Sequence, residues 1–198
     1  MTKINRKVHA AVAAAAAIAL LAGCGGSAED DASQSTTTSH SSASGSETSG
    51  AMGGHAHKPD GGPPPEGIEK ASSPMYPVGT RVTLTADHMP GMKGADATIS
   101  GAFDTTAYSV SYTPTDGGQR VTDHKWVVHE ELEDPGDAPL EADTEVVLDA
   151  DHMAGMDGAE ATIDSSTDET VYMVDLTMDG MKMTNHKWVV ESEIQPLK

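Results

Sequence analysis

The sequence of 198 residues predicts an all-β protein, in which two tandem small SH3-like barrels or curled sheets follow a disordered N-terminal tether. The first observation is an internal repeat, because Ala-Asp-His-Met-x-Gly-Met-x-Gly-Ala occurs at 86–95 and again at 150–159. The second is that short segments of each repeat alternate apolar and polar residues with a period of two, which is typical of half-buried strands. No segment shows an apolar 3.6-residue period long enough for a substantial helix.

Residues 1–23 have the pattern of a lipoprotein signal peptide. Three basic residues precede an apolar run at 10–21, and this run is too short to span a bilayer. The run ends in Leu21-Ala22-Gly23-Cys24, which resembles the lipobox of bacterial lipoproteins. That resemblance implies cleavage before Cys24, lipidation of Cys24, and anchoring at the extracytoplasmic face of the cell membrane. The alternative is an ordinary secretory signal in which the cysteine is accidental.

Residues 24–73 are rich in Ser, Thr, Gly, Pro and acidic side chains, and they contain almost nothing apolar. Such a segment buries too little surface to offset its ordering entropy, so it predicts a disordered tether. Met52, His55 and His57 form a short cluster within it. This cluster is either a weak metal site or an inert part of a linker.

The charge and the cysteine count exclude several classes of site. The net charge of −19 becomes about −22 when the three basic residues of the signal are removed. An acidic surface of this kind disfavours nucleic acid and anionic partners and is compatible with cations. Cys24 is the only cysteine, which excludes a disulfide framework and a cysteine-based zinc site.

Two repeat units, at 74–134 and 138–198, follow the tether. Equivalent residues are 64 positions apart in the first part of each unit and 62 apart in the last, which indicates a turn of variable length at 114–118 and 178–180. A unit of about 60 residues without disulfides is marginally stable alone, so we expect the two units to pack together. In the first unit, strands are predicted at 81–85, 97–99, 108–112 and 124–128.

The repeated loop carries the candidate metal ligands. Met89-Pro90-Gly91-Met92 has Pro at the second and Gly at the third position of a type II turn, and Met153-Ala154-Gly155-Met156 keeps the Gly. The ends of such a turn lie within ~7 Å, so two thioethers can converge on one point. A histidine precedes each turn, and another stands in each His-Lys-Trp segment. The candidate ligands are His88, Met89, Met92, His124, His152, Met153, Met156 and His186.

Thioether and imidazole ligands outside the cytoplasm indicate copper. Thioethers bind Cu(I) or Ag(I) and offer little to Zn(II) or Ca(II), whereas imidazole binds both Cu(I) and Cu(II). Cu(I) is therefore favoured, with Cu(II) and Ag(I) as alternatives. The competing interpretation is structural, because methionine often fills gaps in small cores. The chain has eleven Met and one Phe, however, and apolar cores are not usually built that way, so some of the methionines are predicted to be exposed ligands. The second repeat adds four that the first lacks: Met173, Met178, Met181 and Met183.

The tandem His-Met-x-Gly-Met-x-Gly-Ala, Tyr-x-Val and His-Lys-Trp-Val segments over residues 74–198 resemble the YdhK-type lipoproteins. This family is built from a duplicated domain of unknown function. Members that resemble the CopL lipoprotein are associated with copper resistance in Gram-positive bacteria. The resemblance therefore implies a surface protein that binds copper, and the matching positions are the two loops and the two His-Lys-Trp segments. The tether lies outside the resemblance.

The expected function is that of a lipid-anchored extracytoplasmic protein that sequesters or buffers copper and supports copper tolerance. One alternative is a module that binds cell-wall or surface polymers without metal. Another is a metallochaperone whose partner is a copper efflux pump or a copper oxidase. An enzyme is not expected, because the sequence contains no nucleophile motif, Ser/His/Asp arrangement or phosphate-binding loop. The membrane is contacted through lipidated Cys24.

Overall fold

The computed structural model describes residues 57–178 and 180–197. Its regular structure there consists of strands and two short 3-10 turns at 129–131 and 191–193, which confirms the all-β prediction. Within the same residues, no helix is long and apolar enough to cross a membrane. The strands are β1 Glu69–Lys70, β2 Arg81–Leu84, β3 Asp96–Asp104, β4 Ala107–Tyr112, β5 Val121–Val128, β6 Glu145–Val147, β7 Glu160–Thr167, β8 Val171–Met178, β9 Met181–Val190 and β10 Ile194–Pro196.

The strands form two antiparallel sheets, and each sheet takes strands from both repeats. The six-stranded sheet has the order β10-β2-β3-β8-β9, with β1 paired to β3, and the four-stranded sheet has the order β5-β4-β7-β6. The first strands of one repeat therefore lie beside the last strands of the other, with β3 paired to β8 and β4 paired to β7. The sequence predicts either SH3-like barrels or curled sheets, and the described residues form sheets. The strands of the two repeats are interleaved in both of these sheets.

The burial of individual strands follows from their alternation and their place in the sheet. β2 alternates between outward residues and the fully buried Val82 and Leu84. β4 is central in its sheet, and all its residues are buried. The hydroxyl groups of its two serines find hydrogen-bond partners on the neighbouring strand β7. Ser111 donates to Asp164 at 2.8 Å, and Ser109 pairs with Ser165 at 2.8 Å. Buried polar groups that are paired in this way do not destabilise the sheet.

Three clusters of buried apolar side chains hold the sheets together. One cluster belongs to the six-stranded sheet and a second to the four-stranded sheet. The third takes residues from both sheets, and it brings β5 and β9 next to each other. It includes the indoles of Trp126 and Trp188, whose large apolar surfaces make burial especially stabilising. The third cluster consists of Phe103, Ala107, Trp126, Val128, Val171, Met173, Trp188 and Val190.

Residues 57–73, which the sequence assigns to a disordered tether, are ordered against the two sheets. β1 pairs with β3, and His57 forms an isolated bridge with Met153. The amide of Gly61 donates to the carbonyl of Thr184 at 2.9 Å. A Cβ atom on Gly61 would lie 2.0 Å from a backbone oxygen, so only glycine permits this approach. The tether prediction is therefore wrong for 57–73, where main-chain hydrogen bonds and the packing of Ile68 and Ala71 against the cores order the segment.

The remaining N-terminal predictions concern residues that lie before the described part of the chain. They are the signal peptide at 1–23, the lipidated Cys24, and the tether positions Met52 and His55.

We expect that neither repeat folds by itself, because each lacks the strands that complete both of its sheets. Residues 74–134 and 138–198, produced separately, should show no cooperative urea unfolding when followed by far-UV circular dichroism. Residues 25–198 serve as the control and should unfold in one cooperative transition. A cooperative transition from either isolated repeat would contradict the interleaved arrangement.

Candidate functional site

The repeated loop folds as two consecutive turns. The amide of Met92 donates to the carbonyl of Met89 at 3.2 Å, and Gly91 has φ 83°, which confirms the predicted type II turn. A second turn follows, in which the carbonyl of Met92 accepts from the amide three residues later at 3.0 Å, and Gly94 has φ 86°. The copy at 153–159 repeats both bonds and both left-handed glycines.

The two methionines of each loop lie in different surroundings. Met92 and Met156 are completely buried, each in the core of one sheet. Met89 is half-buried and lines a cavity of about 330 Å³ together with Met153, which also packs on the second core. The structure therefore places the second methionine of each loop in the core rather than at the cavity. A flexible apolar thioether gains from filling the space beneath the turn.

The other methionines of the second repeat are mostly buried as well. Met173, Met178 and Met183 are at most 9% exposed, and of this set only Met181 is largely exposed. Of these four residues, the structure therefore leaves only Met181 exposed, and the other three pack in the cores.

Five histidines from distant parts of the chain lie around this cavity. The His57 ring centroid lies 5.2 Å from that of His186 and 6.0 Å from that of His124. The His124 and His152 centroids are 6.1 Å apart, and His88 lines the cavity with His57 and His124. The structure thus brings together all four predicted histidines. It also brings His57 to the site, a residue that the sequence places in a tether cluster that is either a weak metal site or inert.

Local irregularities in β5 and β9 place two of these histidines. The pairing register shifts next to His124 in β5 and next to His186 in β9. The preceding residues, Asp123 and Asn185, have φ of 50° and 51°. Asp and Asn adopt this left-handed conformation more readily than most other residues. Shifts of this kind re-aim a side chain, and here they occur at the same position in both repeats.

A buried carboxylate contacts the loop histidine of the second repeat. Glu131 is 2% exposed, and its Oε1 lies 2.8 Å from Nε2 of His152. Its Oε2 accepts a hydrogen bond from Nε1 of Trp188 at 2.8 Å and one from the amide of Val128 at 3.2 Å. Nζ of Lys187 lies 3.6 Å from Oε1. Both oxygens are therefore paired, as a buried carboxylate requires.

The equivalent carboxylate contacts the loop histidine of the first repeat. Oε1 of Glu193 lies 2.7 Å from Nε2 of His88, and its Oε2 accepts from Nε1 of Trp126 at 3.0 Å. Sequence reasoning missed both carboxylates. The repeat itself contains the signal, because Glu131 and Glu193 are 62 positions apart, the same offset as the His-Lys-Trp segments.

Three buried ring nitrogens at the site have no hydrogen-bond partner within the described residues. They are Nδ1 of His88, Nε2 of His124 and Nδ1 of His152. Leaving a buried polar atom unpaired costs about 1–3 kcal/mol, so most such atoms in folded proteins find a partner. These three nitrogens are therefore the candidate atoms for binding an ion.

Burial and mutual repulsion keep several of these rings neutral. Desolvation, followed by the charges of His152 and His88, lowers the pKa of His57 to about 4. Desolvation and the neighbouring histidines lower the pKa of His124 and that of His186 to about 3. At neutral pH these imidazoles therefore keep the lone pair that a metal ligand needs.

The cavity offers imidazoles and thioethers as possible metal ligands, and Asp87 and Asp123 also line it. In the described part of the chain, no three His, Cys, Asp or Glu side chains are grouped closely enough to hold a metal ion by themselves. Two imidazoles on one ion, with metal–nitrogen bonds of about 2.0 Å, have centroids roughly 5–6.5 Å apart. The separations of 5.2, 6.0 and 6.1 Å lie in this range. Ring rotation and the thioethers of Met89 and Met153 would complete such a site.

Comparison with known proteins identifies the family. Residues 78–129 and 143–191 match the family model described as "Protein of unknown function (DUF1541)". The chain belongs to the DUF1541 family. The two matched regions correspond to the two repeats, which confirms the tandem organisation and the YdhK-type resemblance.

YdhK of Bacillus subtilis, which is described as uncharacterized, is among the similar proteins. YdhK of strain 168 is 56% identical over 132 residues, which cover 66% of this chain and 64% of YdhK. The chain thus spans less than two thirds of that relative. A 2.00 Å crystal structure of ydhK has TM-score 0.67 and 54% identity, covering 69% of this chain and 94% of that one. A solution NMR structure of the ydhK C-terminal domain has TM-score 0.58 and 56% identity, covering 61% and 92%.

Acidification is expected to destabilise the metal-free protein between pH 6.5 and pH 4. Because His124 and His186 have lower pKa values in the folded state than in the unfolded chain, the unfolded chain binds more protons below pH 6.5. Their contribution is therefore present above pH 6.5 and is lost as the pH falls. For each residue the loss between pH 6.5 and pH 5 is roughly 2 kcal/mol.

Urea unfolding of residues 25–198 with a chelator present, at pH 7, 6 and 5, measures this effect. The double variant His124→Gln, His186→Gln should lose most of the pH dependence. A wild-type free energy of unfolding that is constant from pH 7 to pH 5 would show that the two rings are protonated in the folded protein.

Proposed function

We propose that the protein binds Cu(I) at the cavity lined by His57, His88 and His124, beside which His152 and His186 of the second repeat lie, and sequesters or buffers it without catalysis. The observation that carries this proposal is the cluster of five histidines, three of which have a buried ring nitrogen without a hydrogen-bond partner among the described residues. The thioethers of Met89 and Met153 line the same cavity. Copper is the cargo in this proposal and takes part in no reaction.

The chemistry of the ligands supports Cu(I) over harder ions. The thioethers carry this preference, because a neutral thioether suits a soft monovalent ion and offers little to Zn(II) or Ca(II), whereas imidazole binds both Zn(II) and Cu(I). The two carboxylates nearest the histidines, Glu131 and Glu193, are already engaged by imidazole and indole groups. Ag(I) shares this chemistry, and Cu(II) would use the imidazoles alone.

The cellular role follows from the predicted location. The lipobox resemblance at Cys24 supports anchoring at the extracytoplasmic face of the membrane, where the site would meet copper before entry. The net charge of −19 also favours accumulation of cations near the surface. The resemblance to CopL-like lipoproteins supports a role in copper tolerance.

Anaerobic titration of residues 25–198 with Cu(I), against a competing chromophoric chelator, tests the proposal. We expect saturable Cu(I) binding, and much weaker binding in a parallel titration with Zn(II). A wild-type protein that takes no Cu(I) from the chelator would refute the proposed function.

Two matched variant pairs test the ligand assignment. Met89→Leu with Met153→Leu removes the cavity thioethers and should weaken Cu(I) binding roughly tenfold or more, equivalent to about 1.4 kcal/mol. Met92→Leu with Met156→Leu is the control, because these residues lie in the cores and leucine conserves their volume at a cost below about 1.5 kcal/mol. A larger loss of affinity in the control pair would move the ligand role to the buried methionines.

A further inference from the structure

We infer that the two repeats build the metal centre jointly: His88 and His152 bind the ion through Nδ1, and Glu131 and Glu193 act as positioning residues across the repeats. This inference rests on the proposed function, because it names the ligand atoms of the same site. It also explains why a carboxylate contacts the loop histidine of each repeat.

The carboxylates are exchanged between the repeats. Glu131 stands at the end of the first repeat, yet the side chains that donate to it, His152 and Trp188, both belong to the second. Glu193 stands at the end of the second repeat, and its partners are His88 and Trp126 of the first. Neither loop histidine is therefore oriented by its own repeat.

The carboxylates determine which ring nitrogen carries the proton. An ionised carboxylate only accepts hydrogen bonds, so Nε2 of each loop histidine must be the donor. In a neutral imidazole the other nitrogen, Nδ1, then carries the lone pair. Both Nδ1 atoms are buried without a partner among the described residues, and the two side chains are only 5% and 4% exposed. When the ring is neutral, as metal binding requires, its lone pair therefore stands on the buried Nδ1 atom.

Each carboxylate is itself held in place. Oε2 of Glu131 accepts from Trp188 and from the amide of Val128, so it cannot rotate away from His152 without breaking both bonds. Oε2 of Glu193 has the equivalent bonds from Trp126 and from the amide of Val190 at 3.2 Å. A carboxylate that fixes a metal-bound histidine in this manner typically changes metal affinity about 10- to 100-fold when it is replaced.

The strand histidines also meet across the repeats. His124 of the first repeat lies next to His152 of the second, with centroids 6.1 Å apart. His57 then joins His124 to His186 of the second repeat. The candidate ligands thus form one connected group rather than one group per repeat.

The tautomers of the two loop histidines test the inference directly. Two-bond ¹H–¹⁵N correlation spectra of ¹⁵N-labelled, metal-free residues 25–198 at pH 7 should show His88 and His152 with the proton on Nε2. On addition of Cu(I), the Nδ1 resonances should shift while Nε2 keeps its proton. Protonation at Nδ1, or a metal-induced shift at Nε2 instead, overturns the inference.

Carboxylate variants separate positioning from a purely structural role. Glu131→Gln should weaken Cu(I) binding about 10- to 100-fold and change the tautomer of His152 but not of His88. Glu193→Gln should do the reverse, because its partner is His88. The exposed Glu133→Gln is the matched control and should change neither quantity. A loss of affinity without a change of tautomer overturns the positioning role.

The two proposals fail in different ways. Wild-type protein that does not compete for Cu(I) refutes the proposed function, and the inference falls with it. Tight Cu(I) binding by a protein whose loop histidines are protonated at Nδ1 refutes the inference alone.

Discussion

The pairing of β3 with β8 and of β4 with β7 is the interaction on which the rest of the structure depends. It places half of each repeat in each sheet, so the two sheets must pack through residues of both repeats, and the third apolar cluster does this. That cluster brings β5 next to β9, and these strands carry the two His-Lys-Trp segments. The histidines therefore gather between the repeats because of a backbone pairing pattern, before any ligand chemistry is involved.

Buried polar groups at this interface stabilise one another only as a set. Burial alone raises the pKa of Glu131, but interaction with the protonated form of His152, the hydrogen bonds from His152 and Trp188, and Lys187 together lower it below its usual value. Removing one member would leave the others buried and unpaired, which costs more than the pair itself contributes. His57, His124 and His186 have no carboxylate partner within the described residues, and burial lowers their pKa values so that they stay neutral and avoid the free-energy cost of a buried charge. Because these imidazoles are not protonated at neutral pH, their ring nitrogens remain available as ligands for a metal cation.

Period-two alternation was sufficient to predict the class and the strands of the first repeat, because β2 and β3 bury alternate residues against one core. The loop turn was equally predictable, since Gly91 needs positive φ. Strand exchange was not, because pairing between distant strands leaves no periodic signal in either of them. For the same reason, the roles of Glu131 and Glu193 can be recognised only from their contacts with the other repeat in the folded protein, although both positions are repeated in the sequence. The position of His57 at the cavity was not predictable, because its segment is held by main-chain hydrogen bonds that amino-acid composition does not reveal.

The two methionines of each loop separate two causes of repetition. The second, Met92 or Met156, sits where its amide closes one turn and its carbonyl closes the next, and its side chain fills the core below. This arrangement requires a long apolar residue but not specifically a sulfur atom. The first methionine, Met89 or Met153, lines the cavity, where a thioether adds something that leucine lacks. Repetition therefore identifies residues under constraint, and only their surroundings distinguish a packing constraint from a ligand constraint.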